Sequence, residues 1–218
     1  ESIVVDNNVN LFDQLLPLVE TIDYGFMRGT KLYAVTVNPL QIENGQMVLY
    51  KQLNLSISET DEYNGNLLTQ RNYSRVFDNL LENFTVNGTR EQNIHYQQPA
   101  ILYITGGNSG NLTSFENLVD WRKKQGYKVY TASISETGSS LSQIKAYIEN
   151  AYFNFDPAPE FVCLIGDVGG SYNINTYFEN YSGYDGEGDL PFSQIEGGDL
   201  LPEVIVGRIS VRNSTHMS

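Results

Sequence analysis

From Lys31 to Ile57 apolar and polar residues alternate with a period of two. The pattern runs through Lys31-Leu32-Tyr33-Ala34-Val35-Thr36-Val37 and again through Met47–Ile57, which predicts strands with one buried face. Asn38-Pro39 closes the first run, and Glu43-Asn44-Gly45-Gln46 supplies turn chemistry ahead of the second, so the two runs predict a hairpin. The segment Tyr73–Phe84 places Val76, Phe77, Leu80, Leu81 and Phe84 at helical spacing and predicts a short amphipathic helix. Asn83–Asn93 is polar and rich in turn residues, and a domain boundary is expected there.

After Gln98-Pro99 the rhythm changes. Ala100–Thr105 is a nearly continuous apolar run that stops at Gly106-Gly107, as a strand buried on both faces would. A helix is expected next, with Ser114 as N-cap, Phe115, Leu118, Val119 and Arg122 at steps of three and four, and Gly126 at the C-terminal end. Tyr127–Ile134 reads as a second strand. Ser140–Phe153 reads as a second helix with Leu141, Ile144, Ile148 and Tyr152 on one stripe, and Phe161–Gly166 as a third strand. The order β-α-β-α-β predicts a parallel sheet covered by helices. The fold class is therefore mixed: a β-rich, sandwich-like domain over residues 1–93, then a three-layer α/β domain over residues 94–218. From Asp167 to Leu201 periodicity fails, and Glu203–Ser210 resumes as a strand. That long loop follows the carboxyl end of a parallel strand, where ligand and metal sites of such sheets gather.

Composition narrows the partners. Hydrophobic residues make up 40% of the 218 positions and charged residues 18%, enough apolar material for packed cores. Thirteen basic against 26 acidic side chains give a formal charge of −13, which disfavours nucleic acid and anionic bilayers and attracts cations. No apolar run is long enough to span a membrane. The opening Glu-Ser-Ile-Val-Val has no basic segment followed by an apolar core, so any signal peptide is expected to have been removed. Cys163 is the single cysteine, so no internal disulfide is expected. The Asn-x-Ser/Thr triplets at Asn72, Asn83, Asn87 and Asn111 are expected by chance in an Asn-rich chain.

The densest candidate chemistry is acidic. Asp185-Gly186-Glu187-Gly188-Asp189 is followed by Glu196-Gly197-Gly198-Asp199-Leu200-Leu201-Pro202-Glu203. Calcium takes six to eight hard oxygens, and glycines let a loop turn several of them inward. A solvated acidic loop is the alternative. Asp167–Asp199 contains no Lys or Arg, so its carboxylates need a cation or a basic partner from elsewhere. Gly106-Gly107-Asn108-Ser109-Gly110 lies between strand and helix as a phosphate-binding loop would, but it lacks both the Walker ending and the dinucleotide glycine spacing. Cys163, in mid-strand, reads as a small buried hydrophobe rather than a nucleophile, and His95 and His216 as incidental polar residues.

The segment Leu118–Tyr127 resembles the helix-to-strand opening of the gingipain catalytic domain. Phe161-Val162-Cys163-Leu164-Ile165-Gly166-Asp167 resembles that family's hydrophobic strand ending in Gly-Asp, and Gly198-Asp199 through Gly207-Arg208-Ile209-Ser210 resembles its Gly/Asn-Asp…Glu-Val…Gly-Arg block. Upstream, Arg28-Gly29, Val37–Leu40 and Met47–Ile57 resemble the end of its pro-domain. The resemblance implies a β-rich pro-domain followed by the N-terminal part of a Rossmann-like, caspase/gingipain-like catalytic domain of a secreted or cell-surface bacterial cysteine peptidase. It implies a Ca2+ site from the carbonyls of Glu196 and Leu201 with the side chains of Asp199 and Glu203. It also implies a role for Asp167 in a second calcium site whose other ligands lie beyond Ser218. Asp185, Glu187 and Asp189 have no counterpart in the resemblance.

The family's cysteine nucleophile and its Gly-His-Gly histidine are absent, so no catalytic residue is assigned and the chain alone is expected to be inactive. Its expected partners are the remainder of its own polypeptide and, for the complete enzyme, peptide or protein substrates. Pro-domain cleavage is expected near Arg90. Two other readings are a non-catalytic binding or secretion-system module with the same fold, and a flavodoxin-like domain using Gly106–Gly110 for a phosphate-bearing cofactor.

Overall fold

The structure, a computed structural model, describes residues 16–44, 46–56, 73–86, 94–181 and 183–217. The turn glycine Gly45, the strand end at Ile57, the triplets at Asn72 and Asn87, and the cleavage expected near Arg90 all lie outside these residues. The chain divides into two compact units. One contains the described residues of Glu1–Tyr24 and Lys31–Leu67, the other those of Gly25–Thr30 and Leu68–Ser218.

In the first unit, whose two longer strands pass at Gly25–Thr30 into residues of the second, alternation produces strands, although not with the expected partners. β1 (Val19–Met27) pairs with β2 (Thr30–Val37), and β3 (Leu40–Glu43) with β4 (Gln46–Leu49). The turn between β1 and β2 is Arg28-Gly29, with φ of 47° and 81°. Two successive left-handed residues form the two-residue connection whose twist matches that of paired strands. The strand 31–37 therefore closes on the segment before it, and β3 and β4 form a separate ribbon of four residues each, with Glu43 opposite Gln46. Among this unit's described residues none is fully buried, and Tyr33, Val35 and Val37 line an exposed side of β2.

The second unit carries the parallel sheet. β5 (Ala100–Thr105), β6 (Lys128–Ser133), β7 (Phe161–Ile165) and β10 (Ile205–Ile209) lie in the order β10-β7-β5-β6, all parallel. Helix α2 (Thr113–Lys124) covers one face and α4 (Leu141–Asn154) the other. Alternation along β5 and β7 divides the core. Leu102, Ile104, Val162 and Leu164 pack with Ile144, Ile148 and Tyr152 of α4, while Ile101, Tyr103 and Ile165 pack with Phe115 and Val119 of α2. Every residue of β5 is buried, which is why its sequence reads as an unbroken apolar run.

The caps differ in one place from expectation. Ser140 caps α4 in a capping box with Gln143, whereas α2 begins one residue before Ser114, with Leu112 at the cap and no side-chain bond. A short 3-10 turn at Ser109–Asn111, closed by the Leu112 N–H on the Ser109 carbonyl, leads straight into α2. The four-residue α3 (Ile134–Thr137) follows β6 with its own capping box from Ser133 and Glu136. Helix α1 (Arg75–Phe84), capped by Ser74, buries Phe77 and joins the second unit, where Tyr96 donates to Asp78 at 2.8 Å.

The long segment after β7 is more regular than its sequence. β8 (Tyr177–Tyr181) and β9 (Tyr184–Gly188) form an antiparallel hairpin, with Asn180 opposite Asp185 and Phe178 opposite Glu187. Asp, Gly and Glu are poor strand formers, so β9 owes its extension to the ladder with β8 rather than to its own sequence.

Candidate functional site

The carboxyl edge of the sheet, where a ligand was expected, is filled by the chain itself. Strand order reverses between β5 and β7, so Gly106-Gly107 and Gly166 flank the crevice in which doubly wound sheets bind ligands. The segment Ser171–Ile174 runs across it. A Cβ on Gly106 would stand 2.4 Å from the Tyr172 carbonyl oxygen, one on Gly166 2.3 Å from the same atom, and one on Gly107 2.1 Å from the Ser171 carbonyl oxygen. Tyr172 and Ile174 are buried there, and the Ser109 hydroxyl donates to the Ile165 carbonyl at 3.1 Å. The glycines that read as a weak phosphate loop are explained by this close passage of main chain.

Around the same edge the acidic residues find basic partners from later in the chain. Arg208 of β10 grips Asp189 with two hydrogen bonds of 2.8 and 2.7 Å and also donates to the carbonyls of Gly166, Ile174 and Asn175. For Asp189 the basic partner expected from outside Asp167–Asp199 is this guanidinium, 19 residues downstream. Asp167 accepts from the Val168 N–H at 2.9 Å and the Ser210 hydroxyl at 3.0 Å, with Arg212 Nε at 3.6 Å. The Val168 N–H, then the Ser210 hydroxyl, hold its carboxyl below the ordinary aspartate range. Asp185 and Glu187, two apart on β9, share one face and are exposed.

The second acidic stretch lies at the opposite, amino edge, ahead of β10. Glu203 is fully buried, and its Oε2 accepts from the N–H groups of Ile195 at 2.6 Å and Glu196 at 3.1 Å, so the loop wraps around this carboxylate. Its Oε1 is buried and accepts no hydrogen bond among the described residues. Burial pushes the Glu203 carboxyl up to about 7. The two main-chain N–H groups oppose the rise, and the charges of Glu196 and Asp199 add to it.

Glycines 197 and 198 both take positive φ, 73° and 66°, which turns the chain so that Asp199 meets the loop again. Asp199 Oδ1 accepts from the Leu201 N–H at 2.8 Å and Oδ2 from the Phe26 N–H at 2.8 Å. Glu196 is buried, and its carbonyl accepts from the Gly198 N–H at 2.8 Å. The three carboxylates interact electrostatically, yet among the described residues no three His, Cys, Asp or Glu side chains converge into a metal-binding group. A cation here would need main-chain oxygens as well. The donor set fits a hard cation: oxygen only, with one buried carboxylate oxygen lacking a donor.

Sequence reasoning missed two groups at this loop, Arg28 and the Phe26 N–H. The Arg28 guanidinium is buried and donates to the carbonyls of Ala158, Pro159 and Glu203 at 2.9 to 3.2 Å, over the rings of Phe77 and Tyr152. An Arg-Gly pair between two strand-like runs carried the turn signal; nothing local indicated where the turn would dock.

Cys163 is half-buried on the α2 face, and burial pushes its thiol up to about 11. His95 and His216 are exposed.

The fold and site thus define a doubly wound α/β domain, its usual ligand crevice filled and an acidic loop at its amino edge. The sequence profile of peptidase family C25 matches residues 94–218, more than half of the chain, and the chain belongs to that family. It is 24% identical over 209 residues to Lys-gingipain of Porphyromonas gingivalis, a match covering 89% of this chain and 11% of that protein. The chain therefore spans about a tenth of the length of the curated relatives it matches. Among solved structures it is similar to the Arg-specific cysteine proteinase gingipain R, at 18% identity and a TM-score of 0.45, over 59% of this chain and 28% of that one. A complex of the pro- and mature domains of Porphyromonas gingivalis RgpB is similar at 19% identity and a TM-score of 0.44, over 53% and 26% respectively.

Proposed function

We propose that this chain is the N-terminal portion of a secreted or surface-located bacterial gingipain-like cysteine endopeptidase. In this reading the β-rich first unit belongs to a pro-domain, the α/β unit is a calcium-braced scaffold, and peptide-bond cleavage requires further polypeptide carrying the Cys/His dyad. Membership of family C25 supports the peptidase assignment for the parent protein. No described helix is long and apolar enough to cross a membrane.

The calcium reading rests on the buried Oε1 of Glu203, which has no donor among the described residues, beside Glu196 and Asp199. The carboxylates of Asp199 and Glu203 and the carbonyl oxygens of Glu196 and Leu201 would hold the ion. Bound calcium would supply positive charge to these carboxylates and cross-link the two ends of the loop. The test is thermal unfolding with calcium and with chelator, comparing the native chain with Asp199→Ala plus Glu203→Ala. A calcium-dependent rise in Tm, absent from the double variant, is expected; no bound calcium and no rise would leave a solvated acidic loop. For the parent protein, thiol-dependent hydrolysis of peptide substrates is expected, and its absence would favour the non-catalytic binding module.

A further inference from the structure

We propose that the hairpin tip Gly25–Thr30 forms a wall of the calcium loop, with the Phe26 N–H and Arg28 as positioning groups, so that calcium binding and docking of the tip strengthen each other. The inference rests on the calcium reading above. Asp199 is the shared element. Its Oδ1 is oriented from within the loop by the Leu201 N–H, but its Oδ2 is oriented from 173 residues away by the Phe26 N–H. Each carboxylate oxygen keeps a further lone pair, so neither bond prevents coordination.

Main chain crowds Asp199 from two sides. A Cβ on Gly25 would stand 2.1 Å from Oδ2, and one on Gly197 2.3 Å. With the tip docked, the carboxylate has one orientation. With the tip withdrawn, it loses one of its two N–H donors and the wall at Gly25. The ion would then have to order it at an entropic cost.

What holds the tip is Arg28. It takes φ of 47°, a left-handed conformation uncommon for a side-chain-bearing residue, and is only 8% exposed. Its guanidinium bridges the segment before β7, through the Ala158 and Pro159 carbonyls, to the segment before β10, through the Glu203 carbonyl. Glu203 is thus touched from both sides: its carbonyl by the tip, its carboxylate by the loop. An ion that fixes Asp199 and Glu203 fixes two of the groups the tip docks on, and by linkage the tip improves the site for the ion by the same factor.

The test uses the full chain, native and with Arg28→Ala or Arg28→Lys, titrated with calcium chloride by calorimetry. Hydrogen exchange of amides 25–30 is followed with calcium and with chelator. Arg28→Ala is expected to weaken calcium binding about tenfold, Arg28→Lys less, and calcium is expected to slow exchange at the native tip by a similar factor. If the native chain binds calcium, an unchanged affinity in folded Arg28→Ala or tip exchange indifferent to calcium overturns the coupling and leaves the calcium reading standing. If the native chain binds no calcium, the calcium reading falls and the coupling with it. Should Arg28→Ala not fold, exchange in the native chain and the affinity of Arg28→Lys decide.

Discussion

Glu203 and Cys163 show how the same burial produces different expectations for two titratable residues. Among the described residues Glu203 carries two main-chain hydrogen bonds on one oxygen and none on the other, next to two further carboxylates. Glu203→Gln keeps an acceptor for Ile195 and Glu196 while removing a buried charge. In chelator it should therefore raise Tm by a few degrees, a relief on the order of 1–2 kcal/mol, and it should abolish any calcium-dependent rise. Scanning calorimetry in both buffers checks this. For Cys163, burial is the largest influence and lifts the thiol from 9 to about 11. The folded chain then keeps a proton that the unfolded chain releases between these values, so the thiol's contribution to stability is intact below pH 9 and declines as pH rises through 11. Alkylation by iodoacetamide at pH 8 should be many times slower in the folded chain than in denaturant, a comparison that mass spectrometry reads directly.

Among the elements, β10 contributes more than a fourth strand. Its Arg208 is a clamp between the β8–β9 hairpin, through Asp189, and the segment crossing the crevice, through Ile174 and Asn175. Both side chains are largely buried, at 13% and 19% exposure, so removing one partner strands the other. Arg208→Met should cost on the order of 3 kcal/mol in urea unfolding, and Asp189→Asn less, because an amide still accepts one of the two bonds. The glycines around β10 separate into two kinds. Gly166→Ala should destabilise by roughly 1–3 kcal/mol, because its Cβ would meet a carbonyl oxygen that cannot retreat. Gly207→Ala should lie within about 0.5 kcal/mol of the native chain, since none of the described residues stands within 4 Å of its Cβ position. Chemical denaturation of the two variants side by side distinguishes a crowded crevice from a generally glycine-sensitive sheet.

Across the whole molecule, the extent of the family match and the extent of the compact unit differ. The match begins at residue 94, but Met27, Arg28 and Phe77 are buried in the same unit as the sheet. A fragment of residues 94–218 leaves the Ala158, Pro159 and Glu203 carbonyls without Arg28 and lacks the buried side chains of Met27 and Phe77. Its urea midpoint should fall well below that of the second unit in the full chain, with a loss of several kcal/mol from an unfilled Phe site and unsatisfied carbonyls together. An equal midpoint would mean that residues 25–30 and 68–93 add nothing to the unit's stability.

The parallel strands and their helices were legible in the sequence because periodicity is a local consequence of burial: β5 and β7 sit between two helical layers and read as apolar runs, and Ser140 announces α4 by its capping box. The acidic stretch around Glu203 was legible as oxygen-rich chemistry for the same reason, since its glycines and carboxylates are neighbours in sequence. Tertiary structure alone decided which charges are balanced and by what. Arg208 reaches Asp189, the Phe26 N–H reaches Asp199, and Tyr172 lies over Gly106 and Gly166. These contacts join residues that packing brings together, and no periodicity along the chain encodes a partner 19 or 173 positions away. The strand pairing of the N-terminal residues belongs with them, because alternation states that a strand has two faces but not which neighbour completes its hydrogen bonds.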